Sequence, residues 1–215
     1  MALMPSTLEL VTRGAPVTLR DGSRVRLRQG HSSDKELLLR GFERLSPESR
    51  YQRFLAAMPK LSPEMVRYLT EIDHHDHEAL AALDEQTGDG IGVARYVRNP
   101  QRPDVAEVAV TVIDAWQGRG LGTLLLEALS GRARAEGITS FTALILAANE
   151  EMMAILAALG PVQIVDRELA TVEIEMPIPE TGPSPALRKL LSIAARGHVV
   201  VPLEDRTTPQ SRPAP

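Results

Sequence analysis

The amino-acid sequence predicts a mixed α/β (α+β) domain, and three consecutive features of the 215-residue chain predict it: a strand, a glycine-rich turn and a long helix. Along Val105 to Ile113 the side chains of Ala106, Val108, Val110 and Val112 share one face, and Glu107, Ala109 and Thr111 share the other. One face is therefore core, and the other presents a single carboxylate. The turn Gln117-Gly118-Arg119-Gly120-Leu121-Gly122 follows. Leu121 to Glu136 then places Leu121, Leu124, Leu125 and Ala128 on one helical stripe and closes on Gly137, a residue suited to a C-cap.

The other elements are read in chain order. Val17 to Arg28 alternates about the turn dipeptide Asp21-Gly22, which predicts a short hairpin. Ser32-Ser33-Asp34 offers N-cap residues to a helix carrying Leu37, Leu38, Phe42 and Leu45 on one face. Ser46-Pro47-Glu48 and Ser62-Pro63-Glu64 each put proline directly after a capping serine, where its missing N–H costs nothing, so two more helices start there. Ala79 to Val97 is a hairpin connected through Asp84 to Gly90. Thr139 to Leu146 is a strand, Asn149 to Leu159 a helix stopped by Gly160-Pro161, and Val162 to Met176 a closing hairpin. This sets residues 1–16 as an N-terminal extension and 17–176 as the domain. Residues 177–185 form a proline-rich linker, 186–203 a short helix on Leu187, Leu190, Leu191 and Ala194 followed by a strand, and 204–215 a disordered tail.

Composition narrows the function classes. A net charge of -4 gives no global reason to expect a nucleic-acid partner. The absence of cysteine excludes disulfides, thiolate metal sites and a cysteine nucleophile. Met1 to Ser6 lacks the basic and apolar regions of a secretory leader, and no run approaches the roughly 18 apolar residues of a membrane span, so a cytoplasmic protein without a membrane partner is expected. Asp73-His74-His75-Asp76-His77-Glu78 has the composition of a metal cluster, but consecutive residues point in alternating directions and do not converge on an ion, so no metal is expected. A polar loop that could border an acceptor site is the reading preferred.

Chemistry concentrates in the glycine turn. The unsatisfied N–H groups and positive dipole end of a helix N-terminus make such a turn a natural pyrophosphate cradle. The Rossmann fingerprint is not met, because Thr123 follows Gly118-Arg119-Gly120-Leu121-Gly122, and the Walker loop is not met, because no lysine is nearby. The pattern that is met is Gln/Arg-x-x-Gly-x-Gly/Ala. With its preceding strand and the following helix, strand and Asn149-initiated helix, it resembles motif A of the Gcn5-related N-acetyltransferase (GNAT) superfamily over residues 17–176.

That resemblance implies a mixed, mostly antiparallel central sheet splayed around acetyl-CoA between the strands of Val112 and Leu144, with helices on both faces. It implies that Val112 pairs with the pantetheine arm, that Gln117, Gly118, Arg119, Gly120, Leu121, Gly122 and Thr123 hold the pyrophosphate, and that Asn149 contacts the cofactor. Glu107 is the candidate general base: an amine of ordinary pKa, about 10.4, arrives protonated at neutral pH and has to lose a proton before attacking a thioester. Partial burial of Glu107 is expected. Many members place a tyrosine on the helix after Asn149 to protonate the leaving thiolate; here Leu156 stands there, and Tyr96 is the fallback.

Within the superfamily, Leu45-Ser46-Pro47-Glu48-Ser49-Arg50-Tyr51 with Arg53-Phe54, Val93-Ala94-Arg95-Tyr96 and Ala106-Glu107-Val108-Ala109 resemble the catalytic domain of bacterial Pat-type protein lysine acetyltransferases. A protein lysine is thus the expected amine acceptor, with a small-molecule amine or a non-catalytic acyl-CoA-binding regulator as alternatives, in a monomer or homodimer. Some actinobacterial relatives fuse this domain to a cyclic-nucleotide-binding module; about 15 residues precede the first strand here, so cyclic-nucleotide control is not expected.

Overall fold

The computed structural model describes residue 14 and residues 16–178. Eight strands form one sheet in the order β1-β2-β3-β4-β5-β6-β8-β7. In chain order the elements are β1 (Pro16–Thr18), β2 (Arg24–Gln29), α1 (Lys35–Glu43), α2 (Pro47–Phe54), α3 (Pro63–Thr70), β3 (His77–Asp84), β4 (Gly90–Arg98) and β5 (Val105–Val112). They continue as α4 (Leu121–Ala135), β6 (Ser140–Leu146), α5 (Glu150–Ala157), β7 (Gln163–Glu168) and β8 (Thr171–Pro177). Every strand pair is antiparallel except β5 with β6, so the mixed, mostly antiparallel sheet expected from the sequence is present.

Local chemistry sets most element boundaries. Ser46 and Ser62 accept hydrogen bonds from the N–H groups of Ser49 and Met65, and Pro47 and Pro63 occupy the first helical turns, as predicted. The start of α1 differs. Ser32–Asp34 forms a 3₁₀ turn whose N–H at Ser33 donates to the His31 ring. The Asp34 carboxylate is engaged by Arg28 at 2.7 and 2.8 Å and by the His31 N–H, which leaves it no bond to give α1.

Helix α4 packs on β3, β4 and β5, where Leu121, Leu124, Leu125 and Leu129 bury against Ala94, Tyr96, Ala106, Val108 and Val110. Helices α1 and α3 and the turn after α1 cover the opposite face through Phe42, Leu45, Val66 and Leu69, with Phe54 of α2 packed against them. The domain packs slightly beyond both expected limits. Pro16 already belongs to β1, while Pro177 belongs to β8 and Ile178, 5% exposed, donates to the Thr139 carbonyl. The expected linker past Ile178, the segment 186–203 and the tail 204–215 lie outside the described residues.

A buried polar node ties the β2 and β3 end of the sheet to α4. Glu78 is fully buried and accepts from Gln29 Nε2 at 2.8 Å, Arg132 Nε at 3.0 Å and the Ala79 N–H at 2.9 Å, with His74 Nδ1 at 2.8 Å. Removing one partner of such a node leaves charge buried without compensation. Glu78→Ala is expected to lower unfolding free energy by about 3–5 kcal/mol, read from urea denaturation midpoints.

Candidate active site

Strands β5 and β6 pair only at Val105 with Ser140, Ala106 with Phe141 and Glu107 with Thr142. Beyond Glu107 they part: β5 runs on against β4 as far as Val112 opposite Gly92, while β6 runs on against β8. The backbone groups of β5 that face β6 past Glu107 therefore have no strand partner, and a groove opens in the sheet. Its walls run from the glycine turn and Val112, past Val110 and Asn149, to Glu107, Ala143 and Leu156.

At the wide end, Gly118 and Gly120 hold φ of 71° and 85°, conformations that a side chain makes costly. Gly120 is the N-cap of α4, and no side chain caps this helix, so its first N–H groups face the groove with the positive end of the dipole. A side chain on Gly122 would approach Ile155 Cδ1 at 3.3 Å, so this glycine serves the contact between α4 and α5. Such a cradle suits a pyrophosphate.

The expected cofactor residues divide. Gly118, Gly120, Leu121, Gly122, Thr123, Val112, Gln117 and Asn149 line the groove. Gln117, however, uses Nε2 to donate to the Val112 carbonyl at 3.0 Å and to Asp114 at 3.2 Å, so it braces the loop. Asn149 Oδ1 accepts from the Met152 N–H and caps α5. Arg119 turns away: it pairs with Asp21 at 3.0 Å, donates to the Ala115 carbonyl and lies over the Trp116 ring. The cations lining this end are instead Arg53, which also reaches the closed end, and Arg20, which makes no hydrogen bond or ion pair among the described residues. Asp114 was also missed. It accepts from the Ser46 N–H and Ser49 Oγ and fastens the loop to the start of α2; burial opposes its charge, but these bonds prevail and hold its carboxyl below the usual range. No sequence pattern marks Arg20 or Asp114.

At the closed end, Glu107 lies on the face shared by Ala109 and Thr111, opposite Val97 and beneath α2 and α3. It is exposed, so the expected partial burial is not found. Arg53, Phe54, Tyr68 and Arg95 stand around it. Leu156 is 1% exposed in the groove wall and supplies no proton. Tyr96 cannot replace it: paired with Val108, it points to the α4 side, where its hydroxyl donates to the His75 carbonyl, and burial, then Glu78, push its pKa up.

The acidic and histidine-rich loop does not border this end. It lines a separate concavity with His31 and Glu71, and Asp73 Oδ1 accepts from the N–H groups of His75, Asp76 and His77. His77 reaches the site indirectly, as the 3.0 Å partner of Arg95 and through its ring, 5.2 Å from that of Tyr68.

A model of the acetyltransferase (GNAT) family matches residues 42–160, which include the glycine turn, Glu107 and Asn149. The chain is 35% identical over 169 residues to Acetyltransferase Pat of Mycolicibacterium smegmatis, a match covering 78% of this chain and 50% of that protein. The chain thus matches about half the length of that curated relative. It is 33% identical over 145 residues to Acetyltransferase PA5475 of Pseudomonas aeruginosa, covering 66% of this chain and 77% of that one. The crystal structure of the GNAT domain of S. lividans PAT aligns with a TM-score of 0.71 at 36% identity, covering 76% of this chain and 96% of that chain.

Burial, followed by the Arg95 charge, pushes the His77 pKa down to about 4, so its lone pair is available to Arg95 at neutral pH. A histidine in the unfolded chain protonates near 6.5. Unfolding therefore takes up a proton between these values, and stability falls as pH drops from about 6.5 to about 4. His77→Gln, which keeps an acceptor for Arg95, is expected to flatten this part of the stability profile; an unchanged slope in urea titrations at pH 7 and pH 5 would refute the assignment.

Proposed function

The chain belongs to the acetyltransferase (GNAT) family, and on that premise we propose that it transfers the acetyl group of acetyl-CoA to an amine, with a protein lysine as acceptor and Glu107 as general base. The observation that carries the reading is the single groove linking the uncapped N-terminus of α4 to Glu107 through the parting of β5 and β6.

The residues fit the roles. The N–H groups of Leu121, Gly122 and Thr123 offer hydrogen bonds and dipole charge to the pyrophosphate, and Arg20 adds a cation at the mouth. The free edge of β5 supplies backbone partners for an extended pantetheine arm. Acetyl-CoA bound there supplies a thioester carbonyl to the acceptor. Glu107, directly or through a water, takes the proton that the ammonium must lose before its nitrogen bonds to that carbonyl carbon. The carbon–sulfur bond then breaks, the newly bonded nitrogen releases its second proton to solvent to give the amide, and the thiolate leaves. With Leu156 in the groove wall, solvent supplies its proton.

The acceptor end favours a macromolecule. Its rim carries Tyr68 at 52% and Leu144 at 49% exposure, large apolar surfaces suited to a docked chain rather than an enclosed small amine. No helix among the described residues is long and apolar enough to cross a membrane.

Glu107→Gln is expected to lower kcat on lysine peptides by about 10²-fold or more with acetyl-CoA affinity retained. Unchanged turnover would remove Glu107 from the reaction. Gly120→Glu sets a charge and a strained φ against the cradle and is expected to abolish calorimetric acetyl-CoA binding; normal titration would overturn the placement of the pyrophosphate. Turnover of small amines alone would replace the lysine acceptor, and binding without turnover would point to a regulator.

A further inference from the structure

Arg53 occupies the last turn of α2 and lines both the cradle half and the Glu107 half of the groove. Its guanidinium lies 5.1 Å from the Phe54 ring centroid, and it makes no hydrogen bond or ion pair among the described residues. Close behind stands Arg95, 6% exposed, held by the Leu69 carbonyl at 2.7 Å and His77 Nε2 at 3.0 Å. Neither of those partners carries a compensating negative charge at neutral pH.

This end of the groove thus holds two guanidiniums against one exposed carboxylate, Glu107. The cations oppose each other. Burial, and after it the charge of Arg53, bring the Arg95 pKa down to about 10; burial also lowers that of Arg53, against the smaller opposing attraction of Glu107 and the Tyr68 phenol. An arginine does not escape such a conflict by losing its proton, and its five donors in a planar fork match a carboxylate. A half-buried guanidinium with no hydrogen bond or ion pair among the described residues, repelled from behind by Arg95 and open to the groove in front, is therefore suited to an anion.

We infer that Arg53 binds a carboxylate carried by the acceptor, so that the preferred acceptor lysine has an acidic residue beside it, its amine directed to Glu107 and its acid to Arg53. The inference rests on the proposed acceptor reading and adds a sequence preference to it. Arg53 then serves as a binding residue that sets specificity, while Glu107 does the proton transfer.

The test uses the full chain and pairs of lysine peptides that differ only in Glu against Gln beside the lysine. Both turnover with acetyl-CoA and equilibrium binding of each peptide to the CoA-saturated protein are measured, so a chain that binds without transferring still answers. A charge-assisted pair predicts that kcat/KM, or affinity, for the Glu peptide exceeds that for the Gln peptide by about tenfold or more. Arg53→Met should bring the ratio near one, and Arg53→Lys should restore part of it. Acetyl-CoA titration of each variant reports whether the fold and cradle persist.

Equal wild-type values for Glu and Gln peptides, or discrimination that survives in Arg53→Met, would overturn the inference. So would loss of acetyl-CoA affinity in Arg53→Met with far-ultraviolet circular dichroism unchanged, which would assign the guanidinium to the donor. A wild-type preference for succinyl-CoA over acetyl-CoA that disappears in Arg53→Met would likewise move the carboxylate to the acyl group. If peptides neither bind nor react but small amines are acetylated, the protein-acceptor reading fails separately, and the inference stands or falls on the same contrast between amino acids and their amides.

Discussion

Two antiparallel half-sheets, β1 to β5 and β6 with β8 and β7, meet along a parallel seam only three residues long, and the rest of the molecule is arranged around that seam. Each half is stabilised within itself: β5 has seven residues paired with β4, and β6 has seven paired with β8. The seam can therefore be short without costing either half its ladder. Parallel neighbours also require a crossover, here α4, which leaves from the C-terminal end of β5. That is the open end of the wedge. The same topology that parts the strands thus delivers a helix N-terminus to the mouth of the gap, and only a glycine turn can make the entry, since Gly118 and Gly120 both hold positive φ.

The seam also fixes where chemistry can occur. Glu107 is its last paired residue, so the carboxylate stands where the wedge closes, while the helix N-terminus stands where it is widest. Five residues of β5 separate Glu107 from Val112, or about 17 Å of extended chain. On the proposed reading, a donor with its phosphates at one end and its reactive bond at the other would span that length of strand, whose unpaired edge offers a rail of backbone groups. The loop after Val112 is kept from drifting by Gln117 on the Val112 carbonyl and by Asp114 on Ser46 and Ser49, which tie the phosphate end to the start of α2.

Features that depend on neighbours in sequence were legible before the structure. The alternation of β5, the serine–proline helix starts, the turn at Asp21-Gly22 and the glycine entry to α4 each rest on local dihedral preference or period, and each appears where the residues put it. Features that depend on which polar groups meet across the fold were not. Arg119 sits inside the loop expected to hold pyrophosphate, yet Asp21, 98 residues away, claims its guanidinium, while Arg20 beside that aspartate is left to face the groove. Tyr96, the fallback proton donor, could not be given a face from sequence because parity is fixed only by pairing register: opposite Val108 it belongs to the α4 side, whereas its neighbours Arg95 and Val97 line the acceptor end. In the histidine-rich loop, His75 and Asp76 find Glu136 and Arg98 rather than the groove, while the His77 side chain reaches the groove's lining through Arg95.

Parity also explains how one strand can serve core and site at once. On β4, Ala94 and Tyr96 bury under α4 while Arg95 between them reaches the opposite layer; on β5, Val108 and Val110 bury while Glu107 and Ala109 do not. Charge on the α1–α3 side is thereby separated from the leucine stripe of α4 by the thickness of the sheet alone. Arg95 can stay charged there because α3 offers the Leu69 carbonyl and the first residue of β3 offers an uncharged His77 ring, two acceptors that satisfy donors without cancelling the field. Arg53 lacks such acceptors, and Glu107 is too exposed to neutralise the pair. The groove consequently presents positive and negative points side by side at its closed end, a pattern complementary to a substrate in which an amine and an acid are neighbours, and poorly matched to an extended polycation.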